Sequence, residues 1–239
     1  MWLSAPNLQS KHGFSTRHGG FSSAPYHSLN FDPRADDPDA VQKNRIHALG
    51  KLGFSLEQAC TLEQVHGVQV LEARAGEQMG DGLISSEPGQ ILAIGTADCY
   101  PILLEDSQAG IVAAVHAGWR GTLGKIAALA VEKMLERGAK LERIQVAIGP
   151  GISGKNYEVS LELAQQFLES GFPALVATRS SNSQKARLDL LEANKFVLLE
   201  AGVLAENIWA SKRCSLEPDF FSYRRDGGKT GRMWAVIGR

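Results

Sequence analysis

Residues 96–121 read T-A-D-C-Y-P-I-L-L-E-D-S-Q-A-G-I-V-A-A-V-H-A-G-W-R-G. Two apolar runs of strand length, 102–104 and 111–115, flank a polar turn. Cys99 precedes the first run and His116 ends the second, seventeen residues later. A strand-turn-strand hairpin between them returns His116 close to Cys99. A third potential ligand, His66, lies upstream in E-Q-V-H-G (63–67) and must come from a separate element. Thiolate and imidazole are zinc ligands, and three protein ligands leave a fourth position for water or substrate. The spacing is not that of a zinc finger, and a buried thiol with two ordinary histidines is the competing reading.

Working outward, further strand-length runs are expected at 60–65, 68–73, 83–85, 91–96, 144–148, 209–214 and 233–237. D-D-P-D (36–39) marks a helix start, with Asp37 as cap and Pro38 in the first turn. That helix is expected to reach about Leu52 and stop at Gly53. A second is expected from Thr122 to Arg137, a third over 160–170 and a fourth over 188–201. The polar segment 179–185 reads as an exposed loop, and 11–34 as short extended pieces joined by turns that can line a site. Residues 1–239 are read as one layered α/β domain with a mixed β-sheet and flanking helices, because hairpins are too frequent for a purely parallel sheet.

Composition narrows the function classes. With 44% hydrophobic and 21% charged residues and a net charge of −1, the 239-residue chain offers no basic field for nucleic acid and no polybasic membrane patch. The first ten residues lack a secretory signal, and no apolar run approaches the ~20 residues that span a bilayer. Three cysteines make no disulfide framework and suit a reducing compartment, so a cytoplasmic protein acting on a small molecule is expected.

Other candidates surround the cluster. Arg45 falls on the face of the first helix with Val41, Ala48 and Leu49, with Ile46 beside it; a buried guanidinium there needs a carbonyl or anionic partner such as phosphate. Asp98 can orient a ligand imidazole, carry a proton or cap a turn. Trp119 either stacks a planar ligand or fills core, and Arg120 sits between glycines at a helix start suited to anions. The turn F-F-S-Y-R-R-D (220–226) offers Tyr223 for stacking and Arg224 and Arg225 for phosphate.

The strings H-G-F-S-T-R-x-G-G, S-L-N-F, Q-V-H-G, T-A-D-C-x-P-I-L, A-A-V-H-A-G-W-R-G-T, I-G-P-x-I, Y-E-V, F-F-S-Y-R-R-D and T-G-R occur here in order along nearly the whole chain. Together they resemble the bacterial family known variously as YfiH-like, multicopper polyphenol oxidoreductase (laccase-domain), purine nucleoside phosphorylase and peptidoglycan-editing factor. The resemblance implies zinc held by His66, Cys99 and His116, and a fold related to the catalytic domain of cytotoxic necrotising factor. It implies phosphorolysis of adenosine, inosine and methylthioadenosine, with adenosine deamination. On that reading Cys99, Asp98 and Arg45 serve catalysis, and Asn30 of S-L-N-F joins Arg45, Arg120, Tyr223, Arg224 and Arg225 around substrate and phosphate. The H-x-E and P-C-x-x-C signature of familiar zinc deaminases is absent, and no single general base is placed. Two other chemistries stand beside this one. A cysteine amidase or peptidase editing serine-containing peptidoglycan precursors would use Cys99 as nucleophile and His116 as base. A polyphenol oxidase would need copper in place of zinc, and six histidines are too few for a four-copper centre.

Overall fold

The computed structural model describes residues 1–180 and 184–239. From the N-terminus the elements are β1 (Trp2–Leu3), β2 (Lys11–Ser15), α1 (Pro38–Gly50), β3 (Ala59–Glu63), β4 (Val70–Glu72), β5 (Gly76–Met79) and β6 (Gly82–Ser85). Then come β7 (Ile91–Thr96), β8 (Tyr100–Asp106), β9 (Ile111–Ala117), α2 (Trp119–Leu123), α3 (Ile126–Glu136) and β10 (Gln145–Ile148). The last third holds β11 (Glu158–Ser160), α4 (Leu161–Glu169), β12 (Ala177–Arg179), β13 (Lys185–Leu188), α5 (Leu190–Glu200), β14 (Ile208–Ala210) and β15 (Met233–Gly238).

The expected α/β architecture holds, but the strands form two six-stranded mixed sheets rather than one. Their orders are β1-β2-β15-β7-β3-β5 and β14-β10-β8-β9-β6-β4, and a small third sheet has the order β11-β13-β12. Alternation along the strands builds the layers. Leu103, Val112, Ala114 and Ala147 of the second sheet meet Leu92, Ile94, Ala235 and Ile237 of the first in a core between the sheets. The opposite side chains of β7 and β15, Ala93, Trp234 and Val236, pack with Ala48 and Leu49 of α1. Ile102, Leu104, Ala113 and Val115 pack outward against Ala127, Ala130 and Met134 of α3 and Val197 and Leu198 of α5. The order of layers is therefore helix, sheet, sheet, helices. Both faces of each central strand are covered, which is why those strands read as unbroken apolar runs.

Asp37 caps α1 by accepting from the Asp39 amide, with Pro38 in the first turn, and Gly53 (φ +78°) follows the helix as expected. Ile46, grouped with the apolar face in the sequence, is 52% exposed. The helix expected from Thr122 to Arg137 is two helices. Lys125 turns left-handed at φ +58°, and a side chain on Gly124 would meet Val68 Cγ1 at 2.5 Å; the break lets α2 lie against the Val68 loop while α3 turns onto β9. Leu188 ends β13 instead of starting a helix: Asp189 accepts from the amides of Leu191 and Glu192 and so caps α5. In the segment expected to be a loop, Arg179 ends β12 and Lys185 begins β13, while 181–183 lie outside the described residues. The strand expected over 209–214 stops at Ala210, and Cys214 makes only an isolated bridge to Gly151.

Three connections, β3 to β4, β5 to β6 and β7 to β8, each pass from the first sheet to the second. They carry His66, Asp81 and Cys99 respectively.

Candidate functional site

The β8–β9 hairpin fixes the site. Its register pairs Pro101 with His116 and Tyr100 with Ala117, so Cys99 comes level with Gly118 and near the end of β9. The crossing after β3 brings His66 to the same place. The ligand atoms of His66, Cys99 and His116 all lie within 4.8 Å of one another, and the two imidazole rings meet edge to face with centroids 4.8 Å apart. A thiolate and two imidazoles at this separation fit a tetrahedral metal with one position left over.

Local hydrogen bonds hold the segments that carry these side chains. Gln64 bridges to Gly95 of β7, donating to its carbonyl at 2.8 Å and accepting from its amide at 2.7 Å, which anchors the start of the His66 loop. Asp81 accepts from the amides of His66 (2.9 Å) and Gly67 (2.6 Å), and lies 2.8 Å from His116 Nδ1. Burial pushes the Asp81 carboxyl up, but the His116 imidazole and the Gly67 amide outweigh it and hold the group below its usual range. A carboxylate only accepts, so His116 carries a proton on Nδ1, and Nε2 is the nitrogen that would take a metal once its own proton is released.

Cys99 follows Asp98, which adopts φ +96°. Burial raises the Cys99 thiol, yet the His116 charge and hydrogen bonds from His116 and His66 bring it down to about 6. His116 responds in the opposite sense: burial lowers it, and Cys99 and Asp81 together lift it to about 9. The pair is poised to present a thiolate, the form that binds metal or attacks carbon.

A cleft of about 800 Å³ opens beside the cluster, and Trp119, Tyr157, Arg224, Arg45, Arg232 and Trp234 line it together with His66, Cys99 and His116. Arg45 donates from Nε and one terminal nitrogen to the Phe31 carbonyl (3.1 and 2.8 Å) and lies 5.1 Å from the Trp234 ring centroid. The carbonyl partner expected of this half-buried arginine is therefore present, and the residue also lines the cleft. Arg224 donates to the Glu158 carbonyl and stacks over Tyr157 at 5.1 Å, while the exposed Tyr223 ring lies 5.9 Å from the Arg232 guanidinium. Burial, followed by the Cys99 charge, pushes the Tyr157 phenol up to about 12, so it stays protonated.

Of the remaining sequence candidates, Asp98 lines the cleft beside Cys99, whereas Arg225, Arg120 and Asn30 do not. Arg225 is tied into its own turn, donating to Leu216, Glu217 and Phe220 carbonyls and to Asp226, and it does not line the cleft. Arg120 is outside the cleft wall and stacks on Trp119 at 4.3 Å. Asn30 is 1% exposed; it donates to the Asp32 carbonyl and Asp36 and accepts from the amides of Asp32 and Arg232, shaping the wall from behind. Asp98 accepts from Ser215 Oγ (2.6 Å), Ser222 Oγ (2.7 Å) and the Arg224 amide (2.7 Å), so its oxygens join the Cys99 loop to the 215–224 segment. The structure adds Asp81 behind the cluster, and Tyr157 and Arg232 on the cleft wall. Tyr157 and Arg232 stand in the strings Y-E-V and T-G-R, whereas G-D-G around Asp81 reads only as a turn.

A family model described as multi-copper polyphenol oxidoreductase laccase matches residues 11–239. The chain is 52% identical over 237 residues to a purine nucleoside phosphorylase of Deinococcus radiodurans, covering 99% of this chain and 92% of that one. Adenosine deaminase RL5, from an unknown prokaryotic organism, is 37% identical over 252 residues, covering 98% and 96%. Among solved structures, YlmD of Geobacillus stearothermophilus superposes with a TM-score of 0.92 at 38% identity, over 100% of this chain and 96% of that one. YfiH of Bacillus licheniformis gives 0.90 at 31%, over 95% and 91%. Motifs and fold agree with these likenesses, and the chain belongs to the YfiH-like, laccase-domain family of multi-copper polyphenol oxidoreductases.

Proposed function

We propose that this protein is a purine nucleoside phosphorylase acting on adenosine, inosine and methylthioadenosine, with adenosine deaminase activity, at a zinc centre held by His66, Cys99 and His116. One observation carries the reading: two imidazoles and a sulfur converge on the wall of a cleft that also presents Arg45, Arg224 and Arg232. Relatives named as a phosphorylase and a deaminase support it. Zinc at these ligands supplies Lewis acidity with one position left for water or substrate. Arg45, braced on the Phe31 carbonyl and Trp234, is preset to receive a phosphate edge, which Arg224 and Arg232 can share. Tyr157 keeps a phenolic proton that can donate to a nitrogen of the departing base. Trp119 and Tyr223 provide rings against which a purine can lie. Asp98 is assigned to bracing the Cys99 loop. Copper binding by the same donor set, with oxidase activity, is a consequence of metal substitution on this reading.

The test is to incubate purified, metal-quantified protein with adenosine and inosine, with and without phosphate. Free base and ribose 1-phosphate formed only with phosphate, and ammonia released from adenosine, are expected. Absence of both from zinc-replete protein would refute the reading. A second reading follows from the succession Asp81–His116–Cys99, which matches a cysteine hydrolase with an oriented base. It predicts cleavage of amide bonds in cell-wall precursors by metal-free protein.

A further inference from the structure

Asp81 holds two ligand-bearing segments with one carboxylate. It is 0% exposed and lies behind the cleft, in the crossing between β5 and β6. Oδ1 accepts from the His66 amide at 2.9 Å and lies 2.8 Å from His116 Nδ1. Oδ2 accepts from the amides of Val65 (3.3 Å) and Gly67 (2.6 Å). The Asp81 main-chain carbonyl accepts from the His116 amide at 2.8 Å. His66 is held at φ +58°, a conformation that non-glycine residues adopt only when their surroundings impose it.

We propose that Asp81 is the positioning residue of the metal centre: its carboxylate keeps His116 protonated on Nδ1 and fixes the 65–67 loop, so that both imidazoles face one point before an ion arrives. The inference rests on His66, Cys99 and His116 being the ligands. Geometry and charge both support it. Without Asp81 the buried His116 ring has no acceptor to select its tautomer, and three consecutive amides of the His66 loop lose their partner. A divalent ion with one thiolate leaves a net charge of +1 beside the buried His116, and the Asp81 carboxylate brings the sum to zero.

Asp81→Asn keeps the shape but removes the charge and turns an N–H group toward the N–H donors. The full-length variant is loaded with zinc in competition with a chromophoric chelator, and separately titrated with cobalt. Zinc affinity is expected to fall roughly 10–100-fold. The thiolate-to-cobalt charge-transfer band should persist, because Asp81 does not touch Cys99, while the d–d bands of the four-coordinate ion weaken. Wild-type affinity with an unchanged cobalt spectrum would overturn the proposal. His116→Ala is the control: if it binds zinc undiminished, the ligand assignment itself fails. Should Asp81→Asn not fold, wild-type protein carrying ¹⁵N-histidine decides the matter by NMR. His116 is expected to keep its proton on Nδ1 with and without zinc, and a proton on Nε2 alone in metal-free protein would overturn the role.

Discussion

Gly118 backs directly onto Cys99: a Cβ at residue 118 would lie 3.0 Å from the Cys99 sulfur and 3.2 Å from His66 Cδ2. The backbone there is extended, φ −76° and ψ 177°, so the glycine is required for space and not for conformation. Gly118→Ala is therefore expected to fold with a near wild-type metal-free melting temperature. Its metal affinity should drop at least about tenfold, a cost of roughly 1.4 kcal/mol, because two ligands must move. Equilibrium dialysis with metal analysis measures this, and full wild-type affinity would show that the cluster tolerates displacement.

Asp98 should behave as a brace. Ser215 and Ser222 are fully buried and point their hydroxyls at it. Asp98→Ala strands those donors and the Arg224 amide, and the expected loss is on the order of 3 kcal/mol in urea unfolding. Asp98→Asn, which keeps an acceptor oxygen, should lose less. A proton carrier would give the reverse pattern, with Asp98→Asn as stable as wild type but inactive.

Cysteine alkylation tests the cluster electrostatics. With the thiol of Cys99 brought down to about 6, the thiolate predominates above that pH and is lost below it. In chelator-treated protein, iodoacetamide should label Cys99 readily at pH 7.5, and the rate should fall as pH drops through about 6. Cys60, raised to about 11 by burial, should stay unlabelled throughout. Re-added zinc should protect Cys99. Peptide mapping by mass spectrometry follows each thiol, and labelling undiminished by zinc would favour the cysteine-hydrolase reading.

The two arginines singled out for phosphate should separate. Arg45→Lys loses the paired donation to the Phe31 carbonyl, and KM for phosphate should rise about tenfold, equivalent to roughly 1.4 kcal/mol, with adenosine deamination little changed. Arg225→Ala should lower the melting temperature through its lost carbonyl contacts while leaving KM for phosphate unaltered. Steady-state kinetics at varied phosphate distinguishes them, and a raised KM in Arg225→Ala would return that residue to the cleft.

What the chain determines by itself is local. Unbroken apolar runs announce buried strands, Asp37-Pro38 and Ser160 announce helix starts, and a hairpin between Cys99 and His116 follows from two runs and a turn. These depend on neighbours a few residues apart, where dihedral preference and side-chain period act directly. Three things were decided only in the tertiary structure: the division of the strands into two facing sheets, the break at Lys125, and the partition of arginines between cleft and scaffold. The sequence offers both Arg45 and Arg225 for phosphate; they part because the carbonyls that claim Arg225 are brought around it by its own turn, whereas Arg45 lines the cleft. Asp81 shows the limit most plainly, since a buried carboxylate takes its meaning from donors 14 to 35 residues away that only chain packing brings within hydrogen-bond reach.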